Sequence, residues 1–190
     1  TVFIRLTGCP LRCTYCDTAY AFTGGQRMLV DDILDQVSTH QTRQVCVPGG
    51  EPLAQPGCHT LLKKLCDTGY QVSLETSGAM DISAVDTRVS RVLDIKTPAS
   101  KEQHRNLWEN LNHLTTHDQI KFVICDRADF VWAKDLIQQH QLANTCEILF
   151  SASHAALAPE ELAQWILDDH LPVRLQLQLH KYLWGDKPGV

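Results

Sequence analysis

Three cysteines fall within eight positions near the start of the chain, in Gly8-Cys9-Pro10-Leu11-Arg12-Cys13-Thr14-Tyr15-Cys16-Asp17-Thr18. Spacings of four and three residues let one tight turn point all three sulfurs at a single centre. Thiolates so arranged suit one iron corner each of a cubic iron–sulfur cluster. Structural zinc competes for the same pattern, but a closed zinc site takes four ligands, usually as two pairs, and no second pair with such spacing follows. An oxidoreductase Cys-x-x-Cys would use Cys13 and Cys16 and leave Cys9 unexplained. A cluster with three protein ligands keeps one iron open to a substrate or cofactor, which points to chemistry more than to electron storage.

Other residues with chemical potential sit at the ends of apolar runs. Arg5, four residues before Cys9, is either a strand-end charge or an anion-binding group. Gly49-Gly50-Glu51-Pro52 combines a backbone open to close approach with a carboxylate. Glu75-Thr76-Ser77-Gly78 reads as a polar turn with hydroxyl caps when taken alone. Lys96 follows another apolar run in Asp94-Ile95-Lys96-Thr97-Pro98, a place where lysine is commonly solvated.

These residues need elements to bring them together. Strand-like segments are expected at Val2–Leu6, Gln44–Pro48, Gln71–Leu74, Arg91–Ile95, Asp118–Cys125, Glu147–Phe150 and Val173–Leu179. Helical spacing of apolar residues predicts helices at Leu29–His40, around Leu61–Leu65 with Gly69 as C-cap, at Ser100–Leu114, Phe130–His140 and Pro159–Leu167. Alternating strands and helices imply an α/β fold with a parallel sheet and helices outside it. Functional groups of such units gather at the carboxyl ends of the strands, so one mouth should collect the cysteine loop, Gly49 to Glu51, Glu75 to Gly78 and Lys96. About six strands are too few for the eight-stranded barrel, and an incomplete, open TIM-like barrel is expected, as a single domain over 1–190.

Composition narrows the function classes. A chain of 190 residues can bury a core without staples. A net charge of -5 gives no footprint for nucleic acid or an anionic membrane. No apolar run approaches the ~20 residues that span a bilayer, and with no signal peptide the expectation is a cytoplasmic protein. Cys46, Cys58, Cys66, Cys125 and Cys146 have no paired spacing and read as structural. The chain opens in a strand without an initiator methionine, so a natural N-terminal segment is expected to precede it.

Cys-x3-Cys-x2-Cys with an aromatic residue before the last cysteine resembles the signature of the radical S-adenosylmethionine enzymes. Asp17-Thr18 directly after it, and the ending Gln178-Leu179-His180-Lys181-Tyr182-Leu183-Trp184-Gly185-Asp186, resemble the 7-carboxy-7-deazaguanine synthase family over essentially the whole chain. The resemblance implies a 4Fe-4S cluster on Cys9, Cys13 and Cys16, with S-adenosylmethionine on its open iron and against Tyr15, Gly50, Glu51, Gly78 and Lys96. It implies Mg2+ at Thr18, and the substrate 6-carboxy-5,6,7,8-tetrahydropterin held by Arg5, Thr76, His180 and the terminal carboxylate of Val190. The implied reaction takes a hydrogen atom from the pterin, contracts its ring with loss of ammonia, and regenerates the cofactor, on the route to queuosine and other 7-deazapurines. Implied partners are an electron donor such as flavodoxin or ferredoxin and a second copy in a homodimer. The family's short N-terminal substrate-gripping segment does not appear in this sequence. A glycyl-radical-enzyme activase, or a passive iron–sulfur or zinc module, are the alternatives; neither would need a pterin pocket or a magnesium ligand at Thr18.

Overall fold

The computed structural model describes residues 1–154, 156–185, 187 and 189. Seven parallel strands form one sheet in sequential order: β1 (Val2–Phe3), β2 (Gln44–Val47), β3 (Gln71–Thr76), β4 (Ser90–Asp94), β5 (Gln119–Ile124), β6 (Glu147–Ala152) and β7 (Arg174–Gln176). β1 and β7 are unpaired with each other among the described residues, so the sheet is open. Each of the seven strand-like segments holds one strand, against the round figure of about six for the barrel, and the open architecture is as expected. The helices are α1 (Val30–Ser38), α2 (Cys58–Asp67), α3 (Arg127–Gln139), α4 (Pro159–Asp168) and α5 (Leu179–Trp184).

Side chains alternate across a strand, and here the alternation divides core from site. Val72 and Leu74 of β3, Leu93 of β4, Ile120, Phe122 and Ile124 of β5 and Ile148 and Phe150 of β6 are all buried. They join one core with Leu61, Leu62 and Leu65 of α2, Phe130 and Ile137 of α3, and Leu162 and Ile166 of α4. Edge-on aromatic contacts run through it, from Phe122 to Phe150 at 5.6 Å, on to Phe130 at 5.8 Å and to Trp165 at 5.5 Å. The residues between them, Glu75, Val92, Asp94, Lys121 and Val123, line a cleft on the opposite face. Parallel strands buried on both faces are apolar throughout; these alternate because one face is covered by helices and the other is a polar cleft.

Helix starts follow local chemistry. Asp126 caps α3 by accepting from the Asp129 backbone N–H, and α4 begins with Pro159, Glu160 and Glu161, favoured in a first turn. Gly69 lies just beyond α2 with φ of 83°, the left-handed position that ends helices.

Two expected elements differ. The helix predicted over Ser100–Leu114 is instead three 3-10 turns, Pro98–Ser100, Gln103–Arg105 and Trp108–His113. Its asparagines bond to other loops rather than leaving the backbone to coil. Asn106 pairs with both the N–H and the carbonyl of Lys96 at 2.9 Å. Asn110, fully buried, donates to the carbonyls of Gly78 and Met80 and accepts from the Ile82 N–H. Such side-chain bonds compete with helix. The strand predicted over Val173–Leu179 stops at Gln176, and the chain turns into α5, whose Leu179, Tyr182, Leu183 and Trp184 are exposed.

Candidate functional site

Every strand contributes to one cleft of ≈ 1200 Å³: Phe3 and Arg5 from β1 and its end, Pro48 and Gly49 after β2, Glu75 and Thr76, Asp94, Lys121, Ser151 and Gln176 from the rest. Cys9, Cys13, Tyr15, Cys16, Asp17 and Thr18 line the same cleft, as do Lys96 and His180. The sheet thus curls around the space where the cysteine loop lies.

The loop is seated by backbone contacts. β1 runs on beside β2 through the Ile4 N–H to Cys46 and the Leu6 N–H to Pro48, both at 2.9 Å. The Gly50 N–H then donates to Leu6 at 3.0 Å and the Glu51 N–H to Gly8 at 2.7 Å. A Cβ on Gly49 would stand 2.3 Å from the Leu6 carbonyl oxygen, and one on Gly50 2.4 Å from that of Gly8. The glycine pair therefore accommodates the stem of the cysteine loop, a use not visible from the sequence, where it reads as room for a ligand.

Cys9, Cys13 and Cys16 are partly buried free thiols. Burial pushes the Cys13 thiol up to about 11, with Lys96 pulling the other way, and burial also raises Cys9. Among the described residues no three Cys, His, Asp or Glu side chains converge as ligands of one metal ion. A cubic cluster asks for less convergence, because each thiolate meets a separate iron at its own corner. Three free thiols on one cleft wall fit that requirement.

Glu51 is fully buried, and its carboxylate is engaged within the protein. It accepts from the Leu53 N–H at 3.0 Å, the Ser77 N–H at 2.7 Å, and the Thr76 and Ser77 hydroxyls. The Glu51 side chain and Gly78 do not line the cleft; Gly50, Thr76 and Ser77 do. Arg5 lies in the cleft with its guanidinium 5.7 Å from the Tyr20 ring centre. Burial disfavours the charge on Lys96, but Asp94 at 3.0 Å together with Tyr15 and Cys13 outweighs it and holds the ammonium above its ordinary value. The Thr18 hydroxyl is 3.8 Å from Cys16 Sγ. His180 Nε2 is 3.8 Å from Asp17 Oδ2, which also accepts from Gln178 at 2.9 Å, so α5 is tied to the cysteine loop. Val190, expected as a substrate contact, lies outside the described residues.

Five buried side-chain polar atoms lack a hydrogen bond among the described residues: Tyr15 Oη, Asp94 Oδ1, Gln176 Oε1, Gln178 Oε1 and His59 Nδ1. The first four belong to cleft residues. Asp94 Oδ1 keeps its ion pair with Lys96 at 3.0 Å. Buried polar groups are normally satisfied, and their concentration here marks a surface made for a polar ligand.

Sequence reasoning did not single out Asp94, Lys121, Ser151, Ser153, Gln176 or Cys125, all cleft residues. The signal available was position, two apart and inward on successive strands. Cys125, read from sequence as structural, lines the cleft, with its thiol pushed up to about 11 by burial.

Residues 3–94 match the family model of the Radical SAM superfamily. The chain is 42% identical over 99% of its length, and 87% of the relative's, to 7-carboxy-7-deazaguanine synthase of Chlorobaculum tepidum. It is 41% identical to the protein of the same name from Koribacter versatilis, over 96% of this chain and 88% of that one. Among solved structures, QueE from Escherichia coli superposes with a TM-score of 0.74 at 19% identity, over 93% of this chain and 84% of that one. SuiB from Streptococcus suis, bound to its precursor peptide SuiA, shares the fold at a TM-score of 0.69 and 13% identity, over 93% of this chain and 48% of that one.

Proposed function

This chain belongs to the 7-carboxy-7-deazaguanine synthases of the radical S-adenosylmethionine superfamily, and on that premise we propose that its cleft converts 6-carboxy-5,6,7,8-tetrahydropterin to 7-carboxy-7-deazaguanine with loss of ammonia. The observation that carries the reading is the meeting of Cys9, Cys13 and Cys16 with Arg5, the Lys96–Asp94 ion pair and the polar atoms of Tyr15, Gln176 and Gln178 that lack a hydrogen bond, on one cleft. The 4Fe-4S cluster and S-adenosylmethionine supply, when bound, an electron and a hydrogen-atom abstraction that no side chain can perform.

The protein's part is to bind, orient and shield. Cys9, Cys13 and Cys16 hold the cluster as thiolates, so loading it displaces protons from thiols raised by burial. Gly50 and Tyr15, which line the cleft, border the S-adenosylmethionine site. Glu51 acts there by fixing the strand ends around it, since its oxygens are committed to Leu53, Thr76 and Ser77. Lys96, kept cationic by Asp94, faces a carboxylate or ribose oxygen of that cofactor. Arg5 pairs with the substrate carboxylate, for which a planar guanidinium offers two parallel donors. Thr18 would offer a hard oxygen ligand to Mg2+, a cation that prefers such ligands. Thr76 and His180, both lining the cleft, are assigned to the pterin. The working form is a cytoplasmic, single-domain homodimer that takes electrons from a small carrier such as flavodoxin or ferredoxin and does not bind nucleic acid.

Anaerobic reconstitution, reduction and addition of S-adenosylmethionine, Mg2+ and the pterin should yield 7-carboxy-7-deazaguanine and ammonia, followed by mass spectrometry. Cleavage of S-adenosylmethionine with the pterin left intact would overturn the substrate assignment. Arg5→Met should raise the pterin KM at least tenfold, as loss of a charge-assisted pair implies, and leave the KM for S-adenosylmethionine in place.

A further inference from the structure

The cysteine loop is also held from outside the cleft, through hydrogen bonds that end on a residue with no part in the site above. Asp129, in the first turn of α3, is fully buried. One oxygen accepts from the Ala99 N–H at 3.0 Å and the other from the Cys125 N–H at 3.1 Å. Asp129 thereby joins α3 to the ends of two neighbouring strands, β4 and β5.

The turn it grips is tightly built. The Ser100 hydroxyl donates to the Thr97 carbonyl at 2.6 Å and accepts from the Glu102 N–H at 3.0 Å. Lys101 at the tip has φ of 63°, a left-handed conformation that a side chain adopts at a cost and keeps only when its surroundings impose it. The turn then meets the cysteine loop on both sides of Cys13. The Ala99 carbonyl accepts from the Thr14 hydroxyl at 2.7 Å, the Ser100 carbonyl from the Thr14 N–H at 3.2 Å, and the Glu102 carboxylate from the Arg12 N–H at 2.7 Å. The loop's own bonds on that side are short-range, from Arg12 Nη1 to the carbonyls of Cys9 and Leu11 and from the Cys16 N–H to Cys13. The Gly50 and Glu51 amides seat the stem of the loop, and the turn holds its far side, at Arg12 and Thr14.

We propose that Asp129 is a positioning residue for the cluster: acting through Ala99, it fixes the turn that pins Arg12 and Thr14 and so sets where the Cys13 sulfur sits. This deepens, and rests on, the assignment of Cys9, Cys13 and Cys16 as cluster ligands. A carboxylate is required because both oxygens accept; an amide would turn one of them into a donor facing an N–H.

The test is a double-mutant cycle on the reconstituted holoprotein, reading the rate of iron release to a chelator in wild type, Asp129→Asn, Thr14→Val and the double variant. Each single substitution should speed release about tenfold. The double variant should be no more than about twofold faster than Asp129→Asn alone, because both break one chain of contacts. Release about a hundredfold faster in the double variant, or unchanged in Asp129→Asn, would overturn the proposal.

Hydrogen exchange of the apoprotein gives a second readout independent of the cluster. Asp129→Asn should expose the Arg12 and Thr14 amides while β6 and α4 keep wild-type protection; a uniform rise in exchange would show only general loosening and overturn the relay. If Asp129→Asn does not fold, Thr14→Val must still speed iron release at an unchanged melting temperature, and unchanged release sinks the idea. Wild-type protein that binds no cluster would instead count against the ligand assignment, with the exchange experiment still deciding the role of Asp129.

Discussion

Glu51 shows how a single carboxylate serves a site without facing it. With no exposed surface, it gathers the Leu53 and Ser77 amides and the Thr76 and Ser77 hydroxyls, locking the end of β3 to the turn after β2. Glu51→Gln keeps the volume and offers a donor where only acceptors fit. It should cost about 1–3 kcal/mol of unfolding free energy, the usual effect of leaving a buried donor unpaired, read as a lower urea midpoint in the apoprotein. A wild-type midpoint would mean that the carboxylate is not the clasp the geometry describes. The sequence identified Glu51 through its motif but gave it a contact with the cofactor; burial and four donors became visible only once β2 and β3 stood side by side.

Among the elements, the β3–β4 and β4–β5 crossovers lack helices. Their connections run as turns that pack Ile82, Val85, Val89 and Leu114 into the core and are braced by side chains, Asn110 above all. Its amide holds Gly78 and Met80, and its oxygen holds Ile82. Asn110→Ala strips the Met80 carbonyl and the Ile82 N–H of their partner, while the Gly78 carbonyl keeps the Leu107 N–H, and should destabilise the apoprotein by about 2–4 kcal/mol on the scale of such losses. Calorimetry would measure it, and a shift of less than about 1 kcal/mol would show that the turns support themselves. The helix expected across Ser100–Leu114 failed for the same reason: Leu107, Leu111 and Leu114 follow a helical period, but Asn106 and Asn110 answer to strand ends far away in sequence. The helices α2, α3 and α4, whose apolar periods face the core, were legible to within a few residues.

For the whole molecule, buried thiols make alkaline stability a test of the packing. Burial pushes Cys46, Cys125 and Cys146 up to about 11 and Cys58 up to about 12 from an ordinary value of 9.0. Below pH ~9 these groups are protonated in folded and unfolded chains alike and add no pH dependence. Above it the unfolded thiols ionise first, the folded state holds more protons, and stability falls until the folded values are passed. The reduced apoprotein should therefore lose stability steeply from pH ~9 to ~11 in urea titrations, and Cys58→Ala should make the fall shallower. A flat profile over that range would place these thiols in contact with water.

The sequence by itself determined the α/β class, the single parallel sheet, the cysteine triad and the strand ends where polar groups collect. Those features rest on local periods and on residue types that few other chemistries use together. Tertiary structure decided the rest. It turned one helix into turns, ended the final strand at Gln176 ahead of α5, and reassigned the glycine pair to the stem of the cysteine loop. It also brought Asp94, Lys121 and Gln176 into the cleft. Each of these depends on which distant backbone lies alongside, and close approach, burial and unpaired polar atoms are properties of neighbours in space that a linear order of residues does not contain.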